Sequence, residues 1–170
     1  MSRSSDVGAL EPMLELVSDP ELSEPGSLGL FTTLARTGLF LQALQRECLA
    51  DHELAFSEFS VLRILQAAPD KQLPPSVLAE KIVYTTGAMT KIVDRLQRAG
   101  LVERAPDPAD RRGVLVQITP LGQRTANDTA DTYQAGRERV LARLDEREAE
   151  QIHNSLQRLL EVLETDRSET

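Results

Sequence analysis

The chain has 170 residues, of which 41% are hydrophobic but only 4% aromatic, and its formal net charge at pH 7 is −8. This length is enough for one domain with a sizeable core, and the composition is typical of a helix-rich protein built on Leu, Ala and Val. The sequence contains no run of about 18 apolar residues and no apolar signal core at its N-terminus, so it predicts neither a membrane span nor export. The single cysteine excludes an intrachain disulfide framework. We therefore expect a cytoplasmic protein.

Residues 1–27 are interpreted as an N-terminal extension of the main domain. Apolar residues recur in it at helical spacing, at Val7, Leu10, Leu14 and Val17. A short helix is predicted here although Pro12 interrupts the pattern. It could cap a dimer or a ligand cavity, or form a loosely docked tail. Residues 18–27 are rich in turn-forming residues and are interpreted as a linker.

A long helix is predicted over residues 28–50, with an apolar surface wider than one partner requires. One stripe consists of Leu30, Leu34, Leu41, Leu44 and Cys48. The stripe is broadened by Phe31, Leu39 and Phe40. A helix that is apolar on two sides needs a second partner, so we expect it to serve both the subunit core and a dimer.

The next helix is predicted to begin at Ser57, because a serine hydroxyl suits the N-cap position. Pro69 is predicted to end this helical region. Residues 71–73 are predicted to add a short strand to a hairpin further along the chain.

Residues 74–113 have the pattern helix, turn, helix, β-hairpin. Gly100 follows the second helix at the position where a left-handed residue commonly ends a helix. Two extended runs, 101–105 and 114–118, flank a loop that contains two prolines, charged side chains and a glycine. The predicted fold is therefore mostly α with a small β-hairpin wing, a winged helix-turn-helix.

The second helix of this pair has an apolar and a polar face. The apolar stripe is Met89, Ile92, Val93 and Leu96. The opposite face carries Gly87, Thr90, Lys91, Asp94 and Arg98. Thr85 suits the N-cap, and the small first turn could enter a DNA major groove, where its N–H groups would attract phosphate. The alternative is an ordinary amphipathic helix whose polar face is solvated.

The hairpin tip, with Asp110, Arg111 and Arg112 in succession, favours the first interpretation. Arginines on a protruding tip can enter a minor groove, and Asp110 can fix the loop by accepting hydrogen bonds. The charge distribution agrees, because residues 81–124 carry eight positive and four negative side chains, a net charge of +4 in an acidic chain. Attraction to phosphate is local, since physiological salt screens charges beyond about 8–10 Å.

These segments together resemble the MarR family of bacterial transcription regulators. The matching segments are FSEFSVLRIL (56–65), VLAEKI (77–82), TTGAMTKIVDRLQRAGLVERAPDPADRR (85–112) and VLVQITPLG (114–122). The arginine wing tip combined with G-L-V-x-R and I-T-P-x-G is a specific combination. One departure is Pro74-Pro75, which stands where the family usually has a Ser or Thr cap followed by Pro.

The resemblance implies a two-fold dimer with helical arms and one DNA-binding lobe per subunit, which commonly represses nearby genes and releases DNA on binding a small, often phenolic, ligand or on oxidation. In this chain it implies a domain over residues 28–165. The lobe would be 57–118, and the dimerisation helices would be 28–50 and 119–165. The expected partners are a second copy of the chain, a pseudo-palindromic operator in double-stranded DNA and a small aromatic or phenolic effector.

By the same resemblance Thr86, Gly87, Thr90 and Lys91 lie on the base-reading helix, and Arg111 and Arg112 lie on the wing. Asp94 is expected to pair with an arginine of the wing or helix. Thr85 and Arg95 complete the predicted DNA-binding set.

After the wing, Thr119 and Pro120 are predicted to cap and start a helix that runs to about residue 144, weakened by Gly136. Asp145 is predicted to restart a second helix, with acidic residues in the first turn. The apolar stripe of that helix is Ala149, Ile152, Leu156, Leu159, Leu160 and Leu163. An isolated lobe would leave these side chains in water, so both helices are predicted to join the dimerisation arms.

The sequence shows no catalytic set, metal-ligand cluster or phosphate-binding glycine loop, so neither an enzyme nor a cofactor is predicted. A ligand pocket is expected between the arms and the lobe. Its polar groups would be Arg36, Arg46, His52, Tyr133 and Arg137. Two alternatives stay open: a redox-responsive regulator that uses Cys48, and a winged-helix protein-interaction module without DNA binding. Because Cys48 lies in an apolar stripe near the end of its helix, a buried apolar role is favoured for it.

Overall fold

The computed structural model describes residues 27–82, 86–110 and 113–168. Within these ranges lie six α-helices: α1 (Ser27–Leu49), α2 (Phe56–Ala67), α3 (Pro75–Lys81), α4 (Thr86–Arg98), α5 (Pro120–Leu141) and α6 (Glu146–Ser168). A 3₁₀ turn (Ala50–His52) follows α1, and three strands are present: β1 (Gln72–Leu73), β2 (Val102–Pro106) and β3 (Val114–Ile118). The predicted fold class, mostly α with a small hairpin, is confirmed. The helix predicted within residues 1–27 lies outside the described residues.

The sheet has the order β1-β3-β2, and both outer strands run antiparallel to β3. Gln72 pairs with Gln117, and Leu73 pairs with Val116, so the short strand predicted over 71–73 is confirmed. The N–H of Ile118 donates to the carbonyl of Lys71 at 3.1 Å and extends this pairing by one residue. The sheet therefore attaches the wing hairpin, β2 and β3 with their connecting loop, to the end of α2.

One hydrophobic core holds α2, α3, α4 and the sheet together and reaches Ala126 of α5. The predicted stripe of α4, Met89, Ile92, Val93 and Leu96, is buried in it. Its partners from the other elements include Leu62, Leu65, Leu78, Val102 and Val116. Burial of this stripe fixes which face of α4 points outward.

The start of α2 differs from the prediction. The helix begins at Phe56 with Ala55 as N-cap, whereas Ser57 lies inside the first turn. The Glu58 carboxylate accepts the Ala55 N–H at 2.9 Å. A glutamate three residues after the cap can satisfy this donor itself, so no hydroxyl is needed at the cap position.

Helix α4 ends as predicted. Gly100 has a φ of 71°, in the left-handed region. The Leu101 N–H donates to the Leu96 carbonyl at 2.9 Å, and the Gly100 N–H donates to the Gln97 carbonyl at 3.0 Å. These two bonds form a Schellman motif, which satisfies the last carbonyls of the helix and turns the chain into β2.

The predicted caps of the last two helices are also present. The Thr119 side chain accepts the Gly122 N–H at 3.0 Å, with Pro120 as the first helical residue. Helix α5 ends at Leu141, three residues before the predicted end. Before α6, the Glu148 N–H donates to the Asp145 carboxylate at 2.7 Å, and the Asp145 N–H donates to the Glu148 carboxylate at 2.9 Å. This reciprocal pair is a capping box.

Two helices expose wide apolar surfaces. Among the side chains described in α6, Ala149 and Leu159 are half-buried and the others are exposed. Leu156, Leu160 and Leu163 are each 46–49% exposed. Four large side chains of α1 are 49–59% exposed: Leu30, Phe31, Phe40 and Leu41. Such contiguous surfaces mark sites of protein association. Across the described ranges, every helix is too short or too polar to span a lipid bilayer.

Candidate nucleic-acid interface

The outward face of α4 is polar and exposed. Gly87, Thr90, Lys91 and Arg98 are exposed, and Asp94 is half-buried. A Cβ atom at Gly87 would meet no atom of the described residues within 4 Å, so packing against that part of the chain does not require glycine here. Thr86 is the first residue of α4. Thr85, Arg111 and Arg112 lie outside the described residues. The structure thus brings Gly87, Thr90, Lys91 and Asp94 of the predicted set onto one helical face.

An arginine of β2 holds one flank of α4. The Arg104 Nη2 lies 2.7 Å from Asp94 Oδ1, and its Nη1 donates to Gln97 Oε1. Asp94 thus pairs with an arginine of the wing hairpin, as the resemblance implied. A guanidinium presents several donors in one plane, so it can engage two helical side chains together. This contact joins the wing hairpin to α4.

A second arginine ties the other flank of α4 to α2. The Arg95 Nε lies 2.9 Å from the Glu58 carboxylate. The Glu58 side chain is 4% exposed, whereas the Arg95 side chain is 59% exposed. Arg95, which was predicted to bind DNA, therefore directs its Nε inward toward a buried carboxylate.

A compact corner, residues 100, 101, 119 and 122, joins the end of α4 to the start of α5. The Thr119 N–H donates to the Leu101 carbonyl at 3.0 Å, and its hydroxyl donates to the Gly100 carbonyl at 2.8 Å. Helix α5 passes so close that a Cβ atom at Gly122 would lie 2.1 Å from the Leu101 carbonyl oxygen. The I-T-P-x-G segment therefore fixes the base of the wing hairpin onto α5.

The wing loop is closed by its own backbone. The Asp107 N–H donates to the Gly113 carbonyl at 3.1 Å, and the Gly113 N–H donates to the Asp110 carbonyl at 2.8 Å. The Asp107 carboxylate accepts the Ala109 N–H at 2.8 Å and forms an Asx turn. Asp110 contributes to the loop through its backbone carbonyl, and Asp107 supplies the carboxylate that caps it.

The residues predicted to line a ligand pocket are only partly brought together. The Arg137 guanidinium lies 5.4 Å from the centre of the Tyr133 ring, a cation–π distance. His52 Nε2 lies 3.0 Å from the hydroxyl of Thr132, the residue next to Tyr133. Arg36 is half-buried on α1, and Arg46 is exposed there. Among the described residues, no group of three or more His, Cys, Asp or Glu side chains could hold a metal ion.

Tyr133 also belongs to an aromatic cluster between α2 and α5. Its ring centre lies 5.5 Å from that of Phe56 and 6.0 Å from that of Phe59. The cluster anchors the first turn of α2 on α5.

Cys48 is buried, with 6% of its surface exposed. It packs with Leu49 and Phe59, and a Cβ atom at Gly136 would lie 2.2 Å from its Sγ. The buried position predicted for Cys48 is confirmed. Gly136, which the sequence marked only as a weak point of α5, is the residue that allows α1 and α5 to approach at this thiol.

Sequence reasoning missed the Glu58–Arg95 pair, although a signal existed. Glu58 has the helical spacing of the core residues Val61, Leu62 and Leu65, so an acidic residue lay on the inward face of α2. A carboxylate on an inward face needs a cationic partner. The partner could not be chosen from sequence, because several arginines lay within the predicted lobe.

Comparison with known proteins agrees with this geometry. The family model described as MarR family matches residues 52–113. The HTH-type transcriptional regulator MhqR of Bacillus subtilis (strain 168) is 31% identical over 133 residues, which cover 78% of this chain and 90% of the relative.

Solved structures share the fold. Wild-type MarR of Escherichia coli in its apo form has a TM-score of 0.67 and 27% identity, covering 81% of this chain and 99% of that one. A cysteine-to-serine variant of the same protein, complexed with operator DNA, has a TM-score of 0.67 and 22% identity, covering 94% of this chain and 99% of that one.

Proposed function

The chain belongs to the MarR family of transcriptional regulators, and we propose that it acts as a homodimer that binds a pseudo-palindromic operator and represses nearby genes. The observation that carries this proposal is the exposed polar face of α4, held between α2 on one flank and the wing hairpin on the other. A helix fixed in this way presents its outward side chains in one orientation, as base recognition in a major groove requires.

The proposed base contacts come from the first turns of α4. Thr86, Gly87 and Thr90 are assigned to base edges, Lys91 is assigned to an adjacent phosphate, and Thr85 is kept as a proposed DNA contact. The open space around Gly87 leaves room for a base edge or a sugar to approach the backbone. The positive end of the helix and the Lys91 ammonium favour phosphate nearby.

Arg111 and Arg112 are assigned to an adjacent minor groove. The described ends of the loop that carries them are joined by the hydrogen bond from the Asp107 N–H to the Gly113 carbonyl, next to the Asx turn at Asp107. Asp94 does not contact DNA in this proposal, because its carboxylate is engaged by Arg104 and orients the wing hairpin.

The exposed apolar surfaces of α1 and α6 support the homodimer. A monomer would leave the leucine side chains of α6 in water at a cost of roughly 25 cal/mol for each Å² of apolar surface. We therefore assign residues 28–50 and 119–165 to dimerisation and 57–118 to the DNA-binding lobe, within a domain of residues 28–165. In a two-fold dimer the two copies of α4 would enter successive major grooves, about 34–36 Å apart.

Relief of repression by a small aromatic or phenolic effector is also proposed. Tyr133 and Arg137 could hold an aromatic ring by stacking and cation–π contact, with His52 close to the same turn of α5. Cys48 is assigned a packing role rather than a redox role, because its thiol is buried against Gly136. The protein would act on chromosomal DNA in the cytoplasm.

Selection of fragments bound from the source genome tests the function and identifies the operator. We expect a footprint with two half-sites whose centres lie about one helical turn, or 10–10.5 base pairs, apart. Lys91→Gln should weaken binding and reduce the salt slope by about 0.9 for the lost phosphate contact. Arg147→Gln on α6 removes the same charge at a distance from α4 and should leave the slope unchanged. Absent or salt-independent duplex binding would instead favour a protein-interaction module.

A further inference from the structure

Glu58 is the most deeply placed acidic side chain at the interface between α2 and α4. Its side chain is 4% exposed. Its carboxylate accepts a hydrogen bond from the Ala55 N–H at 2.9 Å and forms an ion pair with the Arg95 Nε at 2.9 Å. Both of its carboxylate oxygens are thereby engaged, one by its own helix and one by α4.

A buried carboxylate is stable only while its partners stay in place, because an unpaired charge in a core is costly. Rotation or sliding of α4 away from α2 would break the Arg95 contact and leave this charge unpaired. The pair therefore favours one rotation of α4 about its axis. The surrounding leucine and valine contacts restrict this rotation less strictly, because apolar packing is non-directional.

The support on the α2 side is itself anchored. Phe56 and Phe59 flank Glu58 in the first turn of α2, and their rings pack on Tyr133 of α5. Glu58, the partner of Arg95, thus lies in a helical turn that is packed against α5. On the other flank of α4, the Asp94 carboxylate that Arg104 contacts is 46% exposed, against 4% for Glu58, so losing its partner leaves a solvated charge and costs less.

We propose that Glu58 is a positioning residue for operator binding, which sets the orientation of α4 through Arg95 without contacting DNA. This inference rests on the proposed function. Arg95 then acts by its inward contact with Glu58, and the number of phosphate contacts does not depend on it.

The test uses Glu58→Gln in the full-length protein and the operator duplex selected as above. Glutamine keeps the side-chain volume and can still accept the Ala55 N–H, but it loses the charge that holds Arg95. The matched control is Glu47→Gln, which removes the same charge from the Glu47–Arg139 pair, also 2.9 Å long but with both side chains more than 60% exposed. Both variants make the chain less acidic, which by itself favours DNA binding.

We expect Glu58→Gln to weaken operator binding roughly tenfold, equivalent to about 1.4 kcal/mol, with an unchanged salt slope and less discrimination against a scrambled duplex. Glu47→Gln should bind as the parent does or slightly more tightly. Arg95→Gln, which removes the cationic partner, should reproduce the loss, and the double variant, which leaves no unpaired buried charge, should be no weaker than either single one. A thermal melting curve for each protein shows whether it is still folded at the temperature of the binding assay.

Equal binding by folded Glu58→Gln and Glu47→Gln would overturn the inference. A salt slope lowered by about one in Arg95→Gln would also overturn it, because Arg95 would then be a direct phosphate contact. If the parent protein bound no duplex at all, the proposed function itself would fail, which is a distinct result.

Discussion

The close approach of Gly136 to Cys48 predicts how the free energy of unfolding changes in three variants: Gly136→Ala, Cys48→Ala and the double variant. A Cβ atom at position 136 would lie 2.2 Å from the Cys48 Sγ, whereas an unstrained non-bonded contact is about 3.5–4.0 Å. Gly136→Ala should gain about 0.8–1.0 kcal/mol from helix propensity. Overpacking in a closed site costs about 1–3 kcal/mol. Because a 2.2 Å approach is far shorter than a normal contact, we take the upper part of that range, about 2–3 kcal/mol, and expect a net loss of roughly 1–2 kcal/mol.

Cys48→Ala removes the obstructing sulfur. Alone it should cost about 0.5–1.5 kcal/mol, comparable to the loss of one buried methyl group. In the double variant the methyl group added at position 136 would lie 3.8 Å from the Cβ of residue 48 and 3.8 Å from Leu44 Cδ1, both ordinary contacts. The double variant should therefore unfold at nearly the same free energy as the parent protein, with a coupling of about 2 kcal/mol between the sites, inside the usual range for residues in contact.

Urea and thermal unfolding measure these values, at one matched protein concentration because a dimer's stability depends on it. Gly136→Ala should melt about 2–8 °C lower than the parent. Additive losses in the double variant would refute the reasoning, since they would mean that the cost of the methyl group at position 136 does not come from the sulfur.

The double variant also provides a folded protein without a thiol, whose operator binding after peroxide can be compared with that of the parent. Peroxide-dependent release by the parent alone would restore the redox alternative for Cys48.

Three further outcomes follow from contacts described above. Gly122→Ala should destabilise the protein by at least about 2 kcal/mol in the same unfolding assay, because its methyl would meet the Leu101 carbonyl oxygen and backbone cannot easily move aside; a neutral result would contradict the close approach of α5. Arg104→Gln and Asp94→Asn should weaken operator binding by similar factors, and the pair should be non-additive in a double-mutant cycle. Leu156→Glu should shift the protein toward monomer in sedimentation, whereas Asn154→Glu, on the opposite face of α6, should not; equal dimerisation of both would place the interface elsewhere.

The fold was predictable from sequence wherever burial imposes a period or a turn imposes a residue type. The apolar stripe of α4 required helical spacing, Gly100 required a left-handed φ, and Thr119 followed by Pro120 required a helix start. These constraints are local, so each can be recognised from a short stretch of sequence.

The site could be predicted only as a face, because the partner of a charged side chain depends on three-dimensional packing. Glu58 and Arg95 are 37 positions apart in the chain, and nothing local distinguishes Arg95 from the other arginines of the lobe. The same holds for Arg104 as the partner of Asp94. For Gly136, the sequence predicted a weaker helix, but the residue's purpose was visible only once Cys48 lay opposite it.

The Leu101 carbonyl has a consequence for how the molecule adapts to operators of different geometry. Thr119 binds this carbonyl through its N–H, and α5 passes over it at Gly122 with no room for a methyl group. The wing hairpin and the first turn of α5 are thus held together at one peptide group, so we expect them to tilt together. We therefore expect any adjustment of the spacing between two half-sites to come from bending of α5 beyond this junction, with each lobe moving as a unit.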